Sequence, residues 1–166
     1  SLFNNGFVIL DGAMGTIIQS MGLKTGRYPE LLNIDSADAV AEIHRNYAQC
    51  GSNVVYANTF GANRLKLRGC DKSVKELIEA AVDNAKKAVD GKALVALDIG
   101  PIGQLLEPLG SLSFEEAYDI FKEMVEAGHG ADLIAIETMA DLYEAKAALL
   151  ASKENSYLPV IVTMSF

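Results

Sequence analysis

Ser73-Val-Lys-Glu-Leu-Ile-Glu-Ala-Ala-Val-Asp-Asn-Ala-Lys-Lys-Ala-Val-Asp-Gly91-Lys-Ala-Leu-Val-Ala-Leu-Asp98 decides how this chain folds, because it spells a helix and a strand in immediate succession. Leu77, Ile78, Ala81, Val82, Ala85 and Val89 recur near a 3.6-residue period and give one broad apolar face from Val74 to Val89. Ser73 precedes that face as a start signal, and Asp90-Gly91 closes it. Ala93 to Leu97 is then continuously apolar instead of alternating, which is the pattern of a parallel strand covered on both sides.

The same unit recurs in both directions. Phe7–Leu10, Asn53–Ala57, Leu133–Ile136 and Pro159–Met164 read as further buried strands. Between them, Ser36 to Ala48 carries apolar positions at Val40, Ile43, Tyr47 and Ala48, with Ser36 or Asp35 as N-cap and Gly51 as stop. Ser113 followed three residues later by Glu116 spells a capping box that opens a helix through Ala127, and Asp141 to Ser152 gives another. About five strands alternating with helices limit the fold to α/β, either a (β/α)8 TIM barrel or an open flavodoxin-like sheet. A complete barrel takes typically about 250 residues, so a chain of 166 residues is expected to be the N-terminal portion of one, a single partial domain over 1–166. The chain stops at Phe166, just past the fifth run, where a barrel continues into a loop and helix.

Composition bounds the function. Half of the residues are hydrophobic and mean hydropathy is +0.18, which excludes bulk disorder. A net charge of -8 and a pI near 4.7 set up a field that repels polyanions, so nucleic acid is not an expected partner. No apolar run reaches a membrane span, and Ser1-Leu-Phe-Asn-Asn-Gly6 lacks the regions of a leader, so a soluble cytoplasmic protein is expected. Two cysteines, Cys50 and Cys70, make neither a disulfide framework nor a zinc site and read as reduced thiols, Cys50 as a small buried hydrophobe. No dinucleotide or Walker spelling occurs.

Each apolar run is followed at once by a polar residue: Asp11, Asn58-Thr59, Asp98, Glu137-Thr138 and Ser165. In a parallel barrel all of these emerge on the face where such barrels do chemistry. Any one alone reads equally well as a helix cap or loop residue. Two Asp and one Glu with no Lys or Arg beside them suit a ligand bearing an ammonium group, such as an amino acid. Glycines cluster at the same ends, in Asp11-Gly-Ala-Met-Gly-Thr16, Phe60-Gly-Ala-Asn63 and Gly100-Pro-Ile-Gly103, where bare backbone can approach a carboxylate.

Taken in order, Asp11-Gly-Ala-Met-Gly-Thr16, Ala57-Asn-Thr-Phe-Gly-Ala-Asn-Arg-Leu-Lys-Leu67, Asp98-Ile-Gly-Pro-Ile-Gly103 with Pro108-Leu-Gly110, and Ile136-Glu-Thr-Met139 resemble the homocysteine S-methyltransferase family. Within it, the likeness is greatest to the homocysteine-binding module of cobalamin-dependent methionine synthases. The resemblance runs from about Phe7 to Phe166. It implies a (β/α)8 barrel in which zinc on three cysteines activates the homocysteine thiol, with the methyl group coming from methylcobalamin on a separate module and ultimately from methyltetrahydrofolate on another. It further implies that Asp11 and Glu137 hold the substrate ammonium group and that Gly12 and Thr59 line the pocket, with Asn58 and Asp98 at matching strand ends. The family's zinc cysteines lie on later strands, so this chain is expected to hold homocysteine without catalysing alone. Two other readings stand beside it: a non-catalytic partial barrel that binds an amino acid or self-associates, and a relative using betaine or S-methylmethionine as donor.

Overall fold

The computed structural model describes residues 6–166; the segment Ser1 to Asn5, read for a leader, lies outside them. Four strands, β1 (Val54–Tyr56), β2 (Leu94–Ile99), β3 (Leu133–Met139) and β4 (Val160–Met164), form one sheet in the order β1-β2-β3-β4 with every neighbouring pair parallel. Sequential order decides between the two architectures, because an open flavodoxin-like sheet reverses direction at a switch point and a barrel does not. The sheet is an arc of a (β/α)8 barrel.

Helices α1 (Met14–Ser20), α2 (Leu32–Asp35), α3 (Ala37–Gln49), α4 (Val74–Val89), α5 (Phe114–Ala127) and α6 (Leu142–Asn155) fill the intervals, with a 3-10 turn at Pro29–Leu31. The expected capping box closes, with Ser113 Oγ accepting the Glu116 N–H at 3.1 Å, and Ser73 forms a second by accepting the Glu76 N–H at 3.2 Å, each Glu reaching back to its cap. Asp90, with φ of 46°, and Gly91 terminate α4 in left-handed backbone. Asp141 caps α6 by accepting the Tyr143 N–H at 2.6 Å.

One face of the sheet, through Val55, Val95, Leu97, Ile134 and Ile136, packs under α4, α5 and α6 in the main core. The other face buries a smaller cluster of Val54, Ala96, Leu133 and Ala135. Two expectations change. Phe7–Leu10 is not a full strand: Leu10 makes a single parallel bridge to Val54, the Asn53 N–H donates to the Ile9 carbonyl at 2.7 Å, and Phe7 is 98% exposed. This run lies outside β1 at the sheet edge, where its apolar side chains gain little cover. Cys50 is exposed, not buried, because it is the C-cap of α3, past the end of the Val40–Ile43–Tyr47 stripe. Among the described residues no helix is long and apolar enough to cross a membrane.

Candidate active site

Alternation along the strands sends Tyr56, Asp98 and Glu137 to the face shared with Val54, Ala96 and Ala135. These side chains reach a cavity of about 530 Å³ at the carboxyl ends of the strands. Its wall also includes Asp11, Gly12, Met14, Glu30, Asn58 and Phe60. Among the described residues, four carboxyl groups therefore face one space and no Lys or Arg lines it.

Each carboxyl is held differently. Asp11 comes directly after the Leu10 bridge, and its Oδ2 accepts the Tyr56 N–H at 2.9 Å; burial raises its pKa to about 6 against the pull of that hydrogen bond. Asp98 lies near the end of β2 and is 7% exposed, with Oδ1 lacking any hydrogen-bond partner among the described residues. Burial first, then the charges of Glu137, Asp11 and Glu30, pushes its carboxyl well above the usual range. Glu137 is half-buried near the end of β3 and raised by burial. A register shift between Ile136 and Met139, with Thr138 at φ of 61°, bends the strand at that residue. Glu30 comes from the 3-10 turn, where it accepts the Gly61 N–H at 2.9 Å and is likewise raised by burial.

The supporting residues have separate tasks. Thr59 is wholly buried behind the wall instead of lining it: its Oγ1 donates to the Asp98 carbonyl at 2.8 Å and accepts the Asp98 N–H at 3.0 Å, tying the segment after β1 to the end of β2. Asn58 lines the cavity, yet its Nδ2 donates to the Pro29 carbonyl at 3.1 Å and so fixes the turn that carries Glu30. A Cβ on Gly12 would stand 2.7 Å from Tyr47 Oη, so a side chain there would push against the hydroxyl that donates to the Ala13 carbonyl.

Of the six residues singled out from sequence, Asp11, Gly12, Asn58, Asp98 and Glu137 share the wall. Tyr56, Glu30 and Phe60 were not singled out. Tyr56 had a signal, since it lies two residues before Asn58 in an apolar run, whereas Glu30 reaches the site through a turn that no strand-end rule covers. Tyr56 feels the cluster too: burial, then Glu137, Asp98 and Asp11, raise its hydroxyl to about 12. The wall is arranged to receive positive charge.

The chain matches the family model described as homocysteine S-methyltransferase over residues 8–166. It is 33% identical over 161 residues to methionine synthase of Mycobacterium tuberculosis, spanning 86% of this chain and 13% of that protein. It is 31% identical over 172 residues to betaine–homocysteine S-methyltransferase 1 of Sus scrofa, spanning 97% of this chain and 60% of that one. In fold it is similar to the homocysteine methyltransferase MmuM from Escherichia coli in its oxidized form, with a TM-score of 0.82 at 23% identity over 99% of this chain and 63% of that one. Its carboxylate-walled barrel mouth thus stands on a sequence that matches over nearly all of the described residues, and the chain belongs to the homocysteine S-methyltransferase family.

Proposed function

We propose that this cavity takes the amino-acid end of homocysteine and presents its thiol for methylation to methionine. The observation that carries the reading is the convergence of Asp11 and Glu137 on a wall without a basic side chain. An ammonium group placed between them gains two charge-assisted hydrogen bonds. The exposed backbone at Gly12 faces the ligand's carboxylate end. Thr59 acts one layer back, holding the Asp98 backbone in place, and Asn58 holds the Glu30 turn from the wall itself.

Methyl transfer to sulfur is a nucleophilic displacement, and an alkyl thiol is mostly protonated at neutral pH. The resemblance assigns thiol activation to zinc, and this chain's residues do not fit that ion: among the described residues no three His, Cys, Asp or Glu side chains converge as a metal requires. In this reading, activation and the methyl donor, methylcobalamin recharged from methyltetrahydrofolate, belong to other parts of a longer cytoplasmic protein. The Asn58–Asn63 and Asp98–Pro101 spellings lean toward that donor over betaine, and a donor assay decides between them. The 166-residue chain then binds without turnover.

Isothermal titration of the chain with L-homocysteine tests the reading. Binding is expected, and Asp11→Asn and Glu137→Gln are each expected to weaken it by roughly 10-fold or more, the size of a lost hydrogen bond to charge. Unchanged affinity in both variants would overturn it.

A further inference from the structure

Asp98 stands apart from the other carboxyl groups of the cavity. Asp11 and Glu30 each accept a backbone N–H, from Tyr56 and Gly61 respectively. Asp98 sits on the cavity wall, 7% exposed, and its Oδ1 has no hydrogen-bond partner among the described residues. Its backbone is engaged with Thr59 through both N–H and carbonyl, so the strand end holds the side chain in place without satisfying it. A buried polar atom left unpaired at a ligand cavity is costly unless a ligand pairs it.

The titratable groups around it all bear on its charge in one direction. From β1 it meets Tyr56, from β3 Glu137, from the segment after Leu10 Asp11, and from the turn ahead of α2 Glu30. None of these is a cation. In the free cavity an ionised Asp98 has nothing to balance it, and a ligand ammonium group is the first positive charge to arrive.

We propose that Asp98 is a positioning residue for the cationic end of the ligand, and that amino-acid binding here is coupled to release of its carboxyl proton. The inference rests on the reading of the cavity as a homocysteine site. No covalent bond to the ligand changes: the O–H bond of the Asp98 carboxyl breaks, the carboxylate left behind pairs with the ammonium group, and the proton passes to buffer. Direction comes from linkage. Binding that releases a proton strengthens as pH rises. Asp11, whose pKa is raised only to about 6, is already mostly ionised at pH 7 and supplies little of that proton.

The test is calorimetric titration at pH 7 in three buffers of different ionisation enthalpy, with L-methionine as probe because its sulfur carries no proton, and with L-homocysteine in parallel. The wild-type chain is expected to release roughly half a proton or more per methionine, with affinity rising about threefold or more per pH unit near neutrality. Asp98→Asn, isosteric and with its backbone contacts to Thr59 intact, is expected to cut the release below roughly one fifth of a proton and to flatten the pH profile. The wild-type buffer series stands even if that variant fails to fold. Binding of either amino acid with no buffer dependence, or with the same release in Asp98→Asn, would overturn the proton coupling and leave the amino-acid site standing. No binding of either amino acid would overturn both.

Discussion

His44 is the clearest single-residue consequence of this packing. It is wholly buried on α3, neither ring nitrogen has a hydrogen-bond partner, and burial alone lowers its pKa from 6.5 to about 4. The unfolded chain therefore binds this proton between about pH 6.5 and 4 while the folded chain refuses it. Stability contributed by neutral His44 is present above the unfolded value and falls as pH drops through that window, by about 3 kcal/mol in all. Replacing it with Leu, which has no proton to bind, is expected to remove that portion of the acid destabilisation when urea midpoints are compared at pH 7 and pH 4.5. An unchanged difference between the two pH values would contradict the assignment. The raised carboxyl groups of the cavity act with the opposite sign, since a group whose folded pKa is raised contributes stability at low pH that is lost as pH rises.

At the scale of elements, Gly128 shows how closely α5 sits on the sheet. A Cβ there would stand 2.4 Å from Leu97 Cδ2, and Leu97 is fully buried on β2. Gly128→Ala is expected to lower stability by about 1–3 kcal/mol through overpacking, read from the denaturation midpoint, and a neutral effect would contradict the packing described. Elements with local signals were legible. Val74–Val89 carried its own cap, stripe and stop, so its limits came from sequence alone. Other elements take their form from tertiary context. Met14–Ser20 was hidden in a glycine-rich stretch, although Met14, Ile17 and Ile18 hold helical spacing, and it forms against α3. Phe7–Leu10 had a strand's composition without a second neighbour to complete it. The same division holds in the site. Asp11, Asn58, Asp98 and Glu137 stand at or next to the first polar position after an apolar run, and that position alone marks them. Glu30 arrives through a turn whose position depends on Asn58 holding the Pro29 carbonyl.

Over the whole molecule, four carboxyl groups meet at one end of the arc, Asp98 and Glu137 on parallel strands, Asp11 after the Leu10 bridge and Glu30 on a turn, and the net charge of -8 adds a field of the same sign. Lys66 is the nearby exception that clarifies the rule. Its Nζ lies 5.1 Å from the centroid of the Phe60 ring, and it interacts with Glu30 and Glu144 while staying off the cavity wall. Positive charge inside the cavity is thus left for a ligand. Recognition of the homocysteine ammonium group by this cavity is measured by calorimetric binding of L-homocysteine against 4-mercaptobutyrate, the same molecule without its amino group. Homocysteine is expected to bind, and 4-mercaptobutyrate to bind at least roughly 10-fold more weakly, as loss of a charged hydrogen-bonding group implies. Equal affinity for the two would contradict it.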